Sequence, residues 1–118
     1  MGFVNDAIIK KYIEIMETVS TDYNSPVIEI DRAESGTAFF IKLSNGNGAV
    51  NMEITLALSV DGVNFTPVAD FTNTITDDDN EILLDLLDTQ ATFARVEITV
   101  TTGAIDFEYI QVTAKRRH

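Results

Sequence analysis

The sequence predicts an all-β protein, an antiparallel β-sandwich of the jelly-roll or Greek-key type with about seven to nine strands. The main observation is an unbroken alternation of apolar and polar residues from Val50 to Asp61. Side chains on a strand point to opposite faces with a period of two, so this pattern indicates a long strand with one buried face. Two further observations agree: short apolar runs alternate with turn signals, and Val, Ile, Thr and Phe are frequent.

The N-terminal segment, residues 1–20, fits two kinds of structure. Its apolar residues fall at helical spacing, at Val4, Ile8, Tyr12, Ile15, Met16 and Val19. The β-branched residues Ile13, Ile15 and Val19 also fit an alternating strand. We favour a strand from about Lys11 to Val19 over a short helix, and in either form the apolar side must be buried.

The next segments read as short strands separated by turns. A turn cluster over residues 21–26 precedes a short strand at residues 27–30. A further strand is predicted from Thr37 to Leu43. The run Asn45-Gly46-Asn47-Gly48 is the strongest loop signal in the sequence and leads into the long strand that begins at Val50.

The long strand ends at Asp61-Gly62, a dipeptide suited to a turn that needs positive φ. A return strand is predicted from Val63 to Phe71, and Pro67 places it at an edge or a bulge. Ile75 belongs to a brief strand or a loop.

The last third of the chain has the same character. A short apolar run covers residues 82–87, and alternation returns from Phe93 to Val100. Thr102-Gly103 is predicted to turn the chain into a last strand from about Ile105 to Ala114. The alternation shifts phase after Tyr109, which indicates a β-bulge.

At 118 residues the chain fits a single domain. We divide it into an N-terminal arm or first strand (residues 1–20), a β-sandwich (21–114) and a basic tail (115–118). The chain has no Cys, which excludes disulfides and thiolate metal sites and fits a reducing compartment. No segment approaches the roughly 20 apolar residues of a membrane span, and no signal-peptide pattern is present. We therefore expect a soluble, non-secreted domain.

The formal net charge of −11 argues against binding to nucleic acid or to an anionic membrane, because both are polyanions. The exception is the tail, where Lys115, Arg116 and Arg117 supply three of the eight Lys and Arg residues. Two interpretations are open. The tail is either a solvated terminus or a basic hook for an acidic partner surface, such as another copy of this protein.

The residue types present do not support catalysis. His118 is the only His and lies in the tail, so neither a nucleophile with a His base nor a zinc site is expected. We expect no enzyme activity and no cofactor. The run Asp77, Asp78 and Asp79 offers oxygen ligands for calcium, but it lacks the spacing of a calcium loop, so a solvated acidic loop is the default.

Carbohydrate binding is a second possibility for a sandwich of this kind. Such a site needs exposed aromatic side chains, and this chain has no Trp. The seven Phe residues sit mostly in strand patterns, which favours positions in the core, and Tyr109 also fits a core position.

One resemblance bears on function. The segments that resemble a known group of proteins are Asn24-Ser25-Pro26-Val27-Ile28-Glu29-Ile30, Ser59-Val60-Asp61-Gly62-Val63-Asn64-Phe65, Phe93-Ala94-Arg95-Val96, Thr102-Gly103 and Lys115. From about Asn24 onward the chain resembles small β-sandwich virion accessory proteins of tailed bacteriophages, which decorate or stabilise capsids. In these proteins the last segments form a closing hairpin. The resemblance implies a non-catalytic structural role, oligomers that are often trimers, and no cofactor.

We therefore expect a virion structural protein that binds and stabilises a phage capsid or a head or tail assembly, after assembly in the host cytoplasm. Its partners would be the major capsid protein or another virion protein, together with copies of itself, with a trimer favoured. The interface candidates are Phe3, Val4, Ile8, Ile9 and Tyr12 at the N-terminus, and Lys115, Arg116 and Arg117 in the tail. A competing interpretation places the apolar candidates in the core of the domain itself. The alternative function is a carbohydrate-binding module for surface attachment.

Overall fold

A computed structural model describes residues 7–30, 37–76, 81–86 and 91–116. The regular structure in these ranges consists of seven strands: β1 (Ala7–Val19), β2 (Tyr23–Asn24), β3 (Ile28–Glu29), β4 (Thr37–Ser59), β5 (Thr66–Ile75), β6 (Glu81–Leu86) and β7 (Phe93–Arg116). Every pairing between them is antiparallel. The predicted all-β class is confirmed.

Two long strands organise the sheet. β4 has 23 residues and β7 has 24, and they pair with each other from Thr37–Ala114 at one end to Ser59–Phe93 at the other. The first half-sheet has the order β6, residues 37–44 of β4, residues 105–116 of β7, and β1. In the second half-sheet, β5 pairs with residues 52–58 of β4, and β2 and β3 share the opposite edge beside residues 93–98 of β7.

The two half-sheets face each other across one hydrophobic core. The core cluster draws buried residues from both: Phe39, Ile41, Leu43, Ile105, Phe107, Ile110 and Val112 from the first, and Met52, Ile54, Leu56, Ile75, Ala94, Val96 and Ile98 from the second. The Tyr23 ring of β2 meets the Phe107 ring of β7 edge to face, with the ring centroids 5.9 Å apart. Because the chain crosses repeatedly between the two halves, the molecule is the jelly-roll sandwich that the sequence predicts.

The chain passes from one half-sheet to the other at a corner that is built into β4 and β7. Asn45 (φ 53°), Gly48 (φ 81°) and Ala49 (φ 55°) lie at the corner in β4, where the register against β7 shifts repeatedly. The run 45–48 was predicted to be a loop between two strands, and this is wrong. These residues form a bulged bend inside one strand. The prediction failed because residues with positive φ occur in sharp bends of a strand as well as in turns that reverse the chain.

Gly103 forms the opposite side of the corner in β7, with φ 84°. A Cβ at this position would lie 2.8 Å from Cα of Val50 and 2.9 Å from the carbonyl oxygen of Asn47, so only glycine fits here. Thr102 Oγ1 donates a hydrogen bond of 2.7 Å to the carbonyl oxygen of Ala49, which ties the two strands together at the bend. The turn predicted at Thr102-Gly103 and the closing hairpin implied by the resemblance are therefore corrected, since residues 93–116 form one continuous strand.

The N-terminal segment is a strand where the structure describes it. β1 starts at Ala7, earlier than the predicted Lys11, and pairs with β7 as far as Val19. A helix is excluded for these residues. The bulge in β1 lies between Glu14 and Glu17, and Met16 there has φ 50°.

The hairpin after β4 is wider than predicted. Gly62 adopts the expected positive φ of 78°, but the return strand starts at Thr66 rather than at Val63. β5 contains Pro67 and is an edge strand. Its register against β4 shifts between Thr55 and Ala57. The edge position and the irregularity agree with what Pro67 predicts. Ile75 ends this strand and is fully buried.

Replacing Gly103 by Ala should cost more stability than the same change at Gly62. Both positions have positive φ, which costs an L-residue about 1–2 kcal/mol. At Gly62 the new Cβ would meet only the Phe93 ring at 3.4 Å, whereas at Gly103 it would overlap backbone atoms. Urea denaturation should give a loss of about 1 kcal/mol for Gly62→Ala and of at least about 3 kcal/mol for Gly103→Ala. Equal losses would contradict the close packing at the corner.

A matched pair of buried hydroxyl groups gives a second prediction. Thr37 is 1% exposed and its Oγ1 has no hydrogen-bond partner, so Thr37→Val should stabilise the fold by about 1 kcal/mol. Ser25 Oγ accepts a hydrogen bond from the Val96 backbone N–H (2.8 Å) and donates to the carbonyl oxygen of Pro26 (3.0 Å). Ser25→Ala should cost about 1–3 kcal/mol. The urea midpoints should move in opposite directions, and a destabilised Thr37→Val variant would contradict this assignment.

Candidate functional site

The outer surface of the first half-sheet presents a row of side chains across all four strands. Tyr12 of β1 lies opposite Gln111 of β7, Gln111 lies opposite Phe40 of β4, and Phe40 lies opposite Leu83 of β6. Residues directly opposite each other in a sheet point to the same face, so these side chains share one surface. Tyr12 is 61% exposed and Leu83 is 62% exposed. Phe40 and Gln111 are half-buried.

Tyr109 joins this row and connects two of its rings. The centroids of the Tyr12 and Tyr109 rings are 4.9 Å apart, with an angle of 35° between the ring planes. The Phe40 ring also stacks with the Tyr109 ring, with the centroids 6.3 Å apart and an angle of 30° between the ring planes. Tyr12, Phe40, Leu83 and Tyr109 are called the aromatic face below. They place four large apolar or aromatic side chains on one outer surface of the sheet, among the polar residues Gln111 and Lys42.

A β-bulge turns Tyr109 toward this surface. Phe107 and Ile110 are both fully buried although they are three residues apart, so one extra residue lies between them. The register of β7 against β4 skips Glu108 at this place. The predicted phase shift of the alternation is confirmed, but the core position expected for Tyr109 is wrong. The expectation that the Phe residues belong to the core is likewise wrong for Phe40.

The outer surface of the second half-sheet is polar by comparison. The Thr55 and Thr72 hydroxyls are 3.0 Å apart across β4 and β5. Arg95 Nε donates a 2.8 Å hydrogen bond to Glu97 Oε2, and its guanidinium group lies 4.3 Å from the centroid of the Phe65 ring. The two outer faces of the sandwich therefore differ in chemistry, and Tyr12, an aromatic residue that is more than half exposed, belongs to the first.

Charged side chains of both signs flank the tyrosine pair of the aromatic face, since Lys42 of β4 lies opposite Tyr109 in the register. Glu14 lies opposite Tyr109 in the register, and Glu108 occupies the bulge beside it. Partial burial raises the pKa of the Tyr12 phenol, and Glu14, Tyr109 and Glu108 raise it further, in that order. The phenol therefore stays protonated at neutral pH and remains a hydrogen-bond donor.

A shallow cleft of about 290 Å³ lies beside the bulges of β1 and β7. Asp106 accepts hydrogen bonds there from Asn45 Nδ2 (3.0 Å) and Thr18 Oγ1 (2.8 Å), and these bonds lower its pKa. Both oxygens of Asp106 are therefore engaged within the protein. Among the described residues, no group of three or more acidic or His side chains is arranged to hold a metal ion. The described part of the chain also contains no helix that is long and apolar enough to cross a membrane.

Asp61 organises the hairpin loop between β4 and β5. Its Oδ1 accepts hydrogen bonds from the backbone N–H groups of Val63 and Asn64, each 2.8 Å, and from Ser59 Oγ at 2.8 Å. Asn64 Nδ2 donates to the other oxygen at 3.0 Å. These donors, led by the two backbone groups, hold the pKa of Asp61 well below its usual range. Asp61 therefore has a structural role in this loop, and Phe65, at the end of the loop, packs against Arg95 on the outer face.

The predicted interface and metal candidates fall into three groups. Those outside the described residues are Phe3, Val4, Arg117, Asp77, Asp78 and Asp79. Ile8 and Ile9 lie in β1, opposite Lys115 and Ala114 of β7, and Arg116 lies opposite Ala7. Tyr12 is exposed and belongs to the aromatic face. The structure therefore separates Tyr12 from Lys115 and Arg116, which lie at the far end of the β1–β7 pair.

Sequence reasoning missed Phe40, Leu83 and Tyr109 as surface residues. A signal existed for Phe40, because in the pair Phe39-Phe40 the period of two sends one ring inward and the other outward. Leu83 lies in an apolar run without alternation, and Tyr109 depends on the bulge. For these two the face is decided by pairing with strands that are distant in sequence.

No protein-family model matches this sequence, and no curated protein matches it. Solved structures match over nearly the whole chain. The SPBc2 prophage-derived protein YomS has a TM-score of 0.60 and 14% identity, and the match covers 97% of this chain and 99% of YomS. A chain from the Bacillus endospore appendages, a family of disulfide-linked pili, has a TM-score of 0.55 and 15% identity, with 95% and 91% covered.

A viral coat protein shares the same architecture. The VP2 chain of the infectious bursal disease virus subviral particle has a TM-score of 0.58 and 15% identity. The match covers 93% of this chain and 32% of VP2, so the chain spans about a third of VP2. At these identities the likenesses show the fold alone.

Changing Asp61 to Asn should lower stability at neutral pH and have less effect in acid. A carboxylate whose pKa is lowered by folding stabilises the protein above its unfolded pKa of about 3.9, and this contribution is lost as the pH falls through the folded pKa. The difference in urea midpoint between wild type and Asp61→Asn should therefore be largest near pH 7 and shrink toward pH 2. Glu53→Gln, on the open outer surface, serves as the control at pH 7. A difference that stays constant with pH would contradict this role.

Proposed function

We propose that this chain is a non-catalytic structural protein of a virion, which binds and stabilises a phage capsid or a head or tail assembly through protein–protein contacts. The observation that carries the proposal is the aromatic face, with Tyr12 and Leu83 more than half exposed on one outer surface of the sandwich. Tyr and Phe are enriched at protein interfaces, and a contiguous exposed apolar patch of this kind marks an interaction site.

The edge strand β1 extends this contact surface. In the described structure β1 pairs on one side with β7, and its other side lies at the edge of the sheet. Its pairing with β7 runs in regular register from Ala7 to Glu14, beside Tyr12. An edge strand offers backbone donors and acceptors to another chain. A stable interface buries roughly 800 Å² on each partner. The aromatic face is only four strands wide, about 15 Å, and is too small to bury this area alone. A contact that also includes the β1 edge would be large enough.

The similar structures support an assembly role. They include a prophage-derived protein, a pilus subunit and the coat protein of a viral particle. In the proposal, the partners are the major capsid protein or another virion protein and further copies of this chain, with a trimer favoured, and the protein is located in the virion. The alternative of a carbohydrate-binding module is less well supported, because the exposed aromatic rings lie on an open sheet surface rather than in a groove.

The proposal predicts that the chain co-purifies with particles and depends on the aromatic face to do so. Particles from the phage or lysogen that encodes the chain should contain it at fixed stoichiometry after density-gradient purification. The double variant Tyr12→Ser and Leu83→Ser should fold, since both side chains are exposed, yet its particle content should fall by more than about tenfold. Circular dichroism checks the fold.

The matched control changes two exposed residues on the other outer surface, Thr74→Ser and Thr99→Ser, and should leave the particle content unchanged. Quantitative mass spectrometry of the gradient fractions gives the readout. Particles that lack the wild-type chain would overturn the virion assignment. If particles retain the Tyr12 and Leu83 double variant at the wild-type level, the contact with the particle does not depend on the aromatic face.

A further inference from the structure

We infer that Asn47 is a site of spontaneous deamidation at the corner of β4, and that Asp106 holds back the same reaction at Asn45. The inference goes beyond the proposed function and does not depend on it. Asn45-Gly46 and Asn47-Gly48 are the two places in the sequence where an asparagine precedes a glycine. The reacting groups are the side-chain amide of the asparagine, the backbone nitrogen of the glycine and water.

The reaction has two steps and uses no group outside the chain except water. In the first step, the backbone nitrogen of Gly48 gives up its proton and attacks Cγ of Asn47, which closes a succinimide ring. The bond between Cγ and Nδ2 breaks, and the side-chain nitrogen leaves as ammonia with that proton. In the second step, water opens the ring at either of its two carbonyl groups and gives aspartate or isoaspartate. A glycine favours the attack because it has no Cβ to obstruct the approach.

The ladder between β4 and β7 is interrupted on both sides of Asn47. The register shifts between Ser44 and Asn47 and again between Asn47 and Asn51, and Gly48 has no residue opposite it. Asn47 and Gly48 are both exposed. Within the described structure, no hydrogen bond holds the side-chain amide of Asn47. Local motion costs least where pairing is interrupted, so Cγ of Asn47 can reach the nitrogen of Gly48 without unfolding of the chain.

Asn45 also precedes a glycine, but its side chain is held. Its Nδ2 donates a 3.0 Å hydrogen bond to Asp106 Oδ2, and Thr18 Oγ1 donates a 2.8 Å hydrogen bond to the other oxygen of Asp106. Hydrogen bonds to a charged group are stronger than those between neutral groups. The bond to Asp106 must break before Cγ of Asn45 can reach the nitrogen of Gly46, which should slow the reaction by about tenfold or more.

Deamidation of Asn47 changes the corner where β4 and β7 bend together. Asn47 pairs there with Ala104, and its carbonyl oxygen lies where a Cβ on Gly103 would approach to 2.9 Å. An isoaspartate lengthens the main chain by one carbon atom at this point, so the close approach and the pairing with Ala104 are not both kept. The modified chain should therefore be less stable. Each event also adds one negative charge to a chain whose net charge is −11.

The first test compares the two asparagines in the same wild-type chain. The chain is incubated in mildly alkaline buffer made with H₂¹⁸O, with and without denaturing guanidinium chloride. Mass spectrometry with electron-transfer fragmentation locates each product and separates aspartate from isoaspartate. In the unfolded chain, Asn45 and Asn47 should react at similar rates, because both precede glycine. In the folded chain, Asn47 should react at least about tenfold faster than Asn45, and its products should include isoaspartate and carry one ¹⁸O atom.

Two variants test the part played by Asp106. Asp106→Ala removes the acceptor and should raise the rate at Asn45 in the folded chain by about tenfold or more. The matched control, Thr18→Val, removes the other hydrogen bond of Asp106 and should leave Asn45 slow. Circular dichroism checks that both variants fold, and the comparison within the wild-type chain does not depend on either of them.

A stability measurement tests the consequence for the corner. Anion-exchange chromatography separates the modified wild-type chain by its added negative charge. The urea midpoint of the isoaspartyl chain should lie below that of the unmodified chain. An unchanged midpoint would overturn the consequence for the corner.

Three results would overturn the modification site itself: equal rates at Asn45 and Asn47 in the folded chain, an Asn47 that reacts only when the chain is unfolded, or aspartate formed without isoaspartate. A rate at Asn45 that stays low in a folded Asp106→Ala variant would overturn the role of Asp106. None of these results bears on co-purification with particles, which tests the proposed function separately.

Discussion

The structure depends on the corner where β4 and β7 bend together. Gly103 approaches the backbone of Val50 and Asn47 so closely that a Cβ would lie within 3 Å of both. Only a residue without a side chain allows two paired strands to bend at this distance. The ladder between β4 and β7 continues on both sides of the bend, so every other strand pairs with one of these two long strands. One bent two-stranded ladder thereby sets the positions of both half-sheets.

The bend also decides which surfaces are open. When one sheet folds onto itself, the two inner surfaces form a single core and the two outer surfaces remain free to differ. On the second outer surface, hydroxyl and charged groups bind each other, as Thr55 binds Thr72 and Arg95 binds Glu97. On the first, the bulge at Glu108 adds an outward ring to a row that already contains Tyr12 and Phe40. The two outer surfaces therefore differ in their aromatic content because of two features: the alternation of side chains along the strands, and the bulge residue Glu108 in β7.

The sequence predicts the parts of this structure that depend on local patterns. Alternation places Met52, Ile54 and Leu56 in the core, and Asp61-Gly62 marks the hairpin. The sequence does not distinguish a corner within a strand from a loop between strands, because the run 45–48 would adopt positive φ in either case. Only the pairing with β7 shows that the strand continues. The aromatic face was missed for the same reason. Phe40 lies beside Leu83, which is more than 40 residues away in sequence, and beside Tyr109, which is 69 residues away. Local patterns do not show such pairings.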